Sequence, residues 1–198
     1  MSIWNLYEKT YEKLWVQHIS LRPTRKEVIR VLSRLNLPEN TILDMSCGTG
    51  QLLDDLKNEL PELKCMGVEP SLMRRTAISK GHMVIESDVE SFKSSEKFGC
   101  IVCTHAFPYF SDQNNAVSRF SEHTLPGGYL IIAHAETKTI YDGLMLMFVK
   151  LTTSKAKYPA PSKMIELLEP YYEICDVVKI NAWYVPSITM YVARKGEL

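Results

Sequence analysis

The stretch that decides the fold is ILDMSCGTGQLLDDL, residues 42–56. An apolar β-like run ends at Asp44 and Met45, a tight Ser-Cys-Gly-Thr-Gly loop follows, and a helical pattern opens at once. Glycines at 48 and 50 let the backbone approach a ligand with no Cβ in the way. The helix start behind them aims free N–H groups at anything carboxylate-like or otherwise anionic. In an open α/β sheet this first crevice is where ligand binds. A dinucleotide fingerprint needs a third glycine, where Leu53 stands, and a P-loop needs Lys-Ser or Lys-Thr, which is absent. Acids mark successive strand ends instead: Asp44, then Glu69 in GVEPS, then Asp88 in IESDVE. An acid beyond the second strand is placed to accept hydrogen bonds from two ribose hydroxyls.

Outward from that loop, short apolar runs alternate with amphipathic ones. Strands are expected at 41–45, 64–69, 82–86, 100–104 and 129–134, with helices at 50–60, 71–80 and 112–124 between them. Nearly all-apolar strands imply a sheet covered on both faces, and repeated strand–helix–strand units imply right-handed parallel crossovers. The rhythm breaks at the end. YYEICDVVKINAWYV and SITMYVARK, split by Pro186 and Ser187, read as an antiparallel pair. The fold class is therefore α/β: a Rossmann-like, seven-stranded, mostly parallel sheet with an antiparallel terminal hairpin and helices on both faces.

Two helices precede the sheet. The first carries an aromatic stripe, Trp4, Tyr7, Tyr11 and Trp15, at helical spacing. The second begins RPTRKEVIRVLSRLNL, with Pro23 in its first turn, an apolar face of Val28, Leu32 and Leu35, and a basic stripe of Arg22, Lys26, Arg30 and Arg34. That stripe is either a solvated face or a landing strip for an acidic partner.

The 198 residues carry 23 basic and 23 acidic side chains, 45% apolar and 23% charged. This is ordinary for one globular domain, and the neutral balance argues against a dedicated nucleic-acid binder. No apolar run approaches a membrane span, and the N-terminus lacks a signal-peptide pattern. With five cysteines and no export signal, reduced thiols in the cytoplasm are expected. Cys100 and Cys103 form a C-x-x-C spacing, but residues three apart on a strand face opposite ways. They cannot grip one metal, and no metal site is expected.

Taken together, ILDMSCGTG, VEPS, SDVE and LPGGYLII resemble the motifs of the class I S-adenosylmethionine-dependent methyltransferases. The motif resemblance covers roughly residues 40–135 and the element order covers the whole chain. It implies S-adenosyl-L-methionine as cofactor and one domain over 1–198, with a helical lid at 1–37 and a substrate-side insert at 136–163. It assigns Asp44, Ser46, Cys47, Gly48 and Gly50 to the methionine end. Glu69 falls to the ribose, Pro70 and Ser71 lie beside the adenosine, and Asp88 and Val89 lie at the adenine. Thr104 and His105 would line the reaction pocket, with Tyr11 of the lid reaching the methionine carboxylate. Two positions depart from the family pattern. Ser46 stands where glycine is usual, and Gly99 stands where an acid commonly follows the aromatic.

His105 is the candidate for proton handling, because histidine titrates near neutrality; a hydrogen-bonded wall residue is the alternative. Arg22, Tyr109, Tyr141 and Met145 are candidate substrate contacts, although the aromatic and methionine side chains of the insert could equally be core or a dimer patch. The stretch after the fourth strand, THAFPYFSD, lacks the acid of metal-dependent members and the Asn-Pro-Pro-Tyr or Asp-Pro-Pro-Tyr of base-modifying members. The expected activity is O-methylation of a small metabolite or natural-product peptide, at a carboxylate in one version. N-methylation of a small amine and a non-catalytic cofactor-binding module are the alternatives. The expected partners are a small-molecule or peptide substrate, with no nucleic acid and no membrane, in a monomer or homodimer.

Overall fold

A computed structural model describes residues 20–136, 156–180 and 187–197. The order is α1 (Arg22–Leu32), β1 (Thr41–Met45), α2 (Gln51–Glu59), β2 (Lys64–Val68), α3 (Arg74–Ser79), β3 (Val84–Ile85) and β4 (Phe98–Thr104). A 3-10 turn (Phe107–Tyr109) comes next, then α4 (Gln113–His123), β5 (Thr124–Ala135), α5 (Pro161–Leu168), β6 (Glu173–Ile180) and β7 (Ile188–Arg194). The sheet runs β3-β2-β1-β4-β5-β7-β6. Its first five strands pair in parallel, while β7 pairs antiparallel with β5 and with β6. The order turns back between β1 and β4, which places the ligand crevice at their carboxyl ends.

The apolar strands are explained by two cores. Leu43, Ile101, Cys103, Leu130, Ile132 and Tyr191 pack on one face with Phe120 of α4 and Leu167 of α5. Ile42, Cys100, Val102, Ile131, Ala133 and Met190 pack on the other with Val28 and Leu32 of α1 and Leu56 of α2. Successive residues of each inner strand thus serve opposite cores. Cys100 and Cys103 fall one in each, as their spacing requires, and all five cysteines are free. Burial pushes the Cys100 and Cys103 thiols up, away from reactivity. Edge strand β6 is largely exposed and carries Glu173, Asp176 and Lys179 along it, which blunts it against further pairing.

The expected elements differ from the observed ones where local pattern was a poor guide. The third strand shrinks to Val84–Ile85, because only Gly67 and Val68 pair with it. The fifth begins at Thr124, five residues early, since Phe98 pairs with Thr124 across an irregularity that skips to Cys100 and Tyr129. Helix α5 was not expected; Pro161 opens it, and Met164, Leu167 and Leu168 form its buried side. Gly99 has a packing reason: a Cβ there would stand 2.0 Å from the Glu39 carbonyl oxygen, so no acidic side chain fits. Among the described residues no helix is long and apolar enough to cross a membrane.

Candidate active site

The loop after β1 is stitched to β2. Cys47 N–H donates to the Val68 carbonyl (3.0 Å), and Gly50 N–H closes a turn on the Cys47 carbonyl (2.9 Å). Ser46, Gly48 and Gly50 all take positive φ, 64°, 56° and 77°. At Gly48 and Gly50 this costs little; at Ser46 it strains an L-residue by roughly 1 kcal/mol. Serine thus stands in a backbone conformation that suits glycine. A Cβ on Gly50 would meet Ala77 Cβ at 2.9 Å. That glycine keeps α2, whose N-terminus no side chain caps, tight against α3.

Glu69 is 5% exposed and holds the loop from below. Its Oε2 accepts from Gly48 N–H (2.9 Å) and its Oε1 from Ser71 N–H (2.8 Å). One carboxylate therefore clasps the glycine loop to the turn after β2, and each oxygen keeps lone-pair capacity for a hydroxyl. Asp44, 2% exposed, lies beside it. Desolvation first, and then the Glu69 charge, push its pKa up to about 7, against an opposing pull from Arg25. Thr49 is 1% exposed, and its hydroxyl has no hydrogen-bond partner among the described residues. A buried orphan hydroxyl beside uncapped helix amides and two carboxylates is a set of donors and acceptors that a zwitterionic, hydroxyl-rich ligand completes. These residues fit S-adenosylmethionine.

The facing wall is the turn after β4. His105 N–H donates to the Ala133 carbonyl (2.7 Å), and the residue adopts φ 61°, the second strained L-residue at this edge. Its Nε2 lies 3.0 Å from Thr24 Oγ1. Desolvation, with coulombic opposition from His134 and Arg25, pushes its pKa down to about 4, below the near-neutral value of a free imidazole. The Arg25 guanidinium in turn ties α1 to α2, with Nε 2.7 Å from Asp55 and Nη1 donating to Gln51 at 3.0 Å. The 3-10 turn beyond is braced from residues 156–160. Lys157 N–H donates to the Pro108 carbonyl (2.7 Å), and the Tyr109 and Tyr158 hydroxyls meet at 3.5 Å.

The structure brings Asp44, Ser46, Cys47, Gly48, Gly50, Glu69, Ser71, Thr104 and His105 to the carboxyl edge of the sheet. Cys47 packs on Gly67, whose Cβ would lie 2.5 Å from its sulfur. Val89 is buried and Pro70 exposed. Asp88 is exposed, and its carboxylate accepts from Ser91 N–H at 2.7 Å. Arg22 is exposed at the start of α1, whose apolar side packs in the second core. Tyr11, Tyr141 and Met145 lie outside the described residues. Sequence reading missed Thr24 and Arg25, which carry no local signal. It also passed over the Thr49 side chain, whose place between the loop glycines was the available clue.

The comparisons agree with this geometry. A family model described as "Methyltransferase domain" matches residues 17–171. Among curated proteins none matches. Among solved structures, the N-methyltransferase NodS from Bradyrhizobium japonicum WM9, in complex with S-adenosyl-L-homocysteine, superposes with TM-score 0.77 at 15% identity, covering 97% of this chain and 96% of its own. Magnesium protoporphyrin IX methyltransferase from Synechocystis PCC 6803 gives 0.76 at 14% identity, with 97% of each chain covered. A possible histamine N-methyltransferase from Thermotoga maritima gives 0.73 at 18% identity, covering 97% and 99%. At such identities the likeness is one of fold, but the family model spans most of the sequence: the chain belongs to the class I S-adenosylmethionine-dependent methyltransferases.

Proposed function

We propose that this enzyme methylates a small metabolite or a short peptide, holding the cofactor between the Ser46–Gly50 loop and Glu69 and the acceptor against the turn after β4. The observation that carries the reading is the Glu69 carboxylate clasping Gly48 and Ser71 beside the unpartnered Thr49 hydroxyl. The cofactor supplies a methyl group on a sulfonium, which leaves to an acceptor lone pair while the carbon–sulfur electron pair stays with sulfur. The protein's own work is then mainly alignment, which can supply several kcal/mol.

Within this proposal Glu69 takes the ribose hydroxyls, Asp44 and the loop take the methionine end, and Ser71, Pro70, Asp88 and Val89 border the adenosine. His105 and Tyr109 stand on the acceptor side. The single domain over 1–198, the lid at 1–37 with Tyr11, and the insert at 136–163 with Tyr141 and Met145 belong to the same proposal. Calorimetry with S-adenosylhomocysteine tests it. Binding in the wild type and its loss in Glu69→Ala are expected; equal binding in both would overturn the assignment.

N-methylation is the second reading, favoured by the depressed basicity of His105. A base this weak activates a hydroxyl poorly, whereas a neutral amine already has its lone pair.

A further inference from the structure

Thr24 has one hydroxyl proton and two neighbours. Its Oγ1 donates to the Ser20 carbonyl at 2.9 Å, the back-bond a helical threonine ordinarily makes one turn earlier, and the same oxygen lies 3.0 Å from His105 Nε2. Thr24 is fully buried. Only one assignment satisfies both contacts: the imidazole carries its proton on Nε2 and donates it to Thr24, which passes its own to Ser20. Nδ1 is then a bare lone pair. It makes no hydrogen bond among the described residues, and His105 keeps part of its surface exposed at the carboxyl end of β4.

Resting on the functional reading above, we infer that Thr24 is a positioning residue that fixes the His105 tautomer, so that the site accepts a methyl acceptor bearing its own hydrogen, an amine or a hydroxyl, and not a carboxylate. A bare Nδ1 can only accept a hydrogen bond. An amine N–H or alcohol O–H donates to it and is thereby held with its lone pair turned away from the ring. An ionised carboxylate is acceptor-only and would set two lone pairs against each other. The groups facing the ring agree. Arg25 is engaged with Asp55 and Gln51, and His134 and Arg25 both oppose a charged imidazole, so the ring does not become a donor at physiological pH. The strained backbone at His105 has the same sense: a side chain is held in place at a conformational cost.

The test is nitrogen-15 NMR of the labelled full chain, with and without S-adenosylhomocysteine. The wild type should show one tautomer with the proton on Nε2, protected from exchange. Thr24→Ser should preserve it. Thr24→Val, which keeps the shape and removes the hydroxyl, should lose exchange protection at least tenfold and gain an Nδ1–H population. A wild type protonated on Nδ1 overturns the inference, as does a Thr24→Val spectrum matching the wild type. Should Thr24→Val fail to fold, the wild-type and Thr24→Ser spectra still decide.

The acceptor class is read separately. Methyl-labelled S-adenosylmethionine is incubated with enzyme and a small-molecule extract, and the products are treated with mild base. Base-stable label is expected, and label released as methanol overturns the inference, since methyl esters behave so. Failure to bind S-adenosylhomocysteine at all sinks the functional reading instead, while the tautomer measurement stands on its own.

Discussion

The turns after β1 and β4 face each other across the crevice, and each forces an L-residue into left-handed backbone: Ser46 at φ 64° and His105 at φ 61°. They do so for different reasons. The first turn also has Gly48 and Gly50, and its contacts with β2, α3 and Glu69 run largely through backbone. The second contains no glycine, and its reach into α1 runs through one imidazole. A turn that offers main chain to a ligand advertises itself by what its residues lack. A turn that offers a side chain keeps the side chain and bears the strain.

Replacing His105 by glycine should break that contrast most visibly. It relieves the backbone and removes the ring that would hold the acceptor, so turnover should fall roughly 100-fold, the scale of a misplaced reactant, while folding stability changes by no more than ~1 kcal/mol. A rate series on the natural acceptor, paired with thermal melts, measures both; unchanged turnover would show that the strain serves no side-chain role.

On the other wall, Glu69→Ala should weaken S-adenosylhomocysteine binding by ~1.5–3 kcal/mol, the scale of hydrogen bonds to a charged group. It also frees the two amides that Glu69 holds, so calorimetry should be accompanied by a lower melting temperature of the ligand-free protein.

A smaller effect comes from Asp44. Its carboxyl is half protonated near pH 7 when the crevice holds no cation, and an arriving sulfonium and ammonium favour the ionised form. Binding therefore releases a proton, and affinity should rise roughly tenfold from pH 6 to pH 8. In the ligand-free protein the sign reverses. A carboxyl raised in the folded state contributes stability that is complete below its ordinary pKa and is lost as pH rises through about 7. Asp44→Asn should flatten both slopes, in titration calorimetry and in melts against pH.

Smallest of all, Ser46→Gly should raise the melting temperature by about 2–4 °C by relieving roughly 1 kcal/mol. A lower melting temperature would mean that Ser46 makes a contact worth more than its strain.

Most of the parallel sheet was legible, because a strand covered on both faces is apolar throughout, and β1 fell on 41–45 as read. The terminal antiparallel pair was legible from Pro186 and Ser187 between two β-rich runs. The start of β5 was hidden: Thr124 joins it through pairing with Phe98 of β4, and residues 125–128 form the irregularity between that pair and Tyr129, with no strand pattern of their own. The wall formed by the Ser46–Gly50 loop and Glu69 was largely legible as a cluster, because glycines and acids at strand ends stand at fixed spacing in the sequence. The turn after β4 was less so. His105 stood out by type, but Thr24 and Arg25 come from a helix some eighty residues upstream, and only tertiary packing brings them to it. The basicity of His105 could not be read either, since desolvation belongs to the fold and not to the residue.

The missing Cβ at Gly99 reaches beyond the strand it occupies. The Glu39 carbonyl fills that space, and Thr41 Oγ1 accepts from Gly99 N–H at 2.9 Å, so the amino ends of β1 and β4 are locked together at the floor of the sheet. Anyone grafting new acceptor loops onto this scaffold can vary the opposite rim and leave this latch alone. Even alanine at position 99 would press on the Glu39 main chain and disturb the two crevice turns from below.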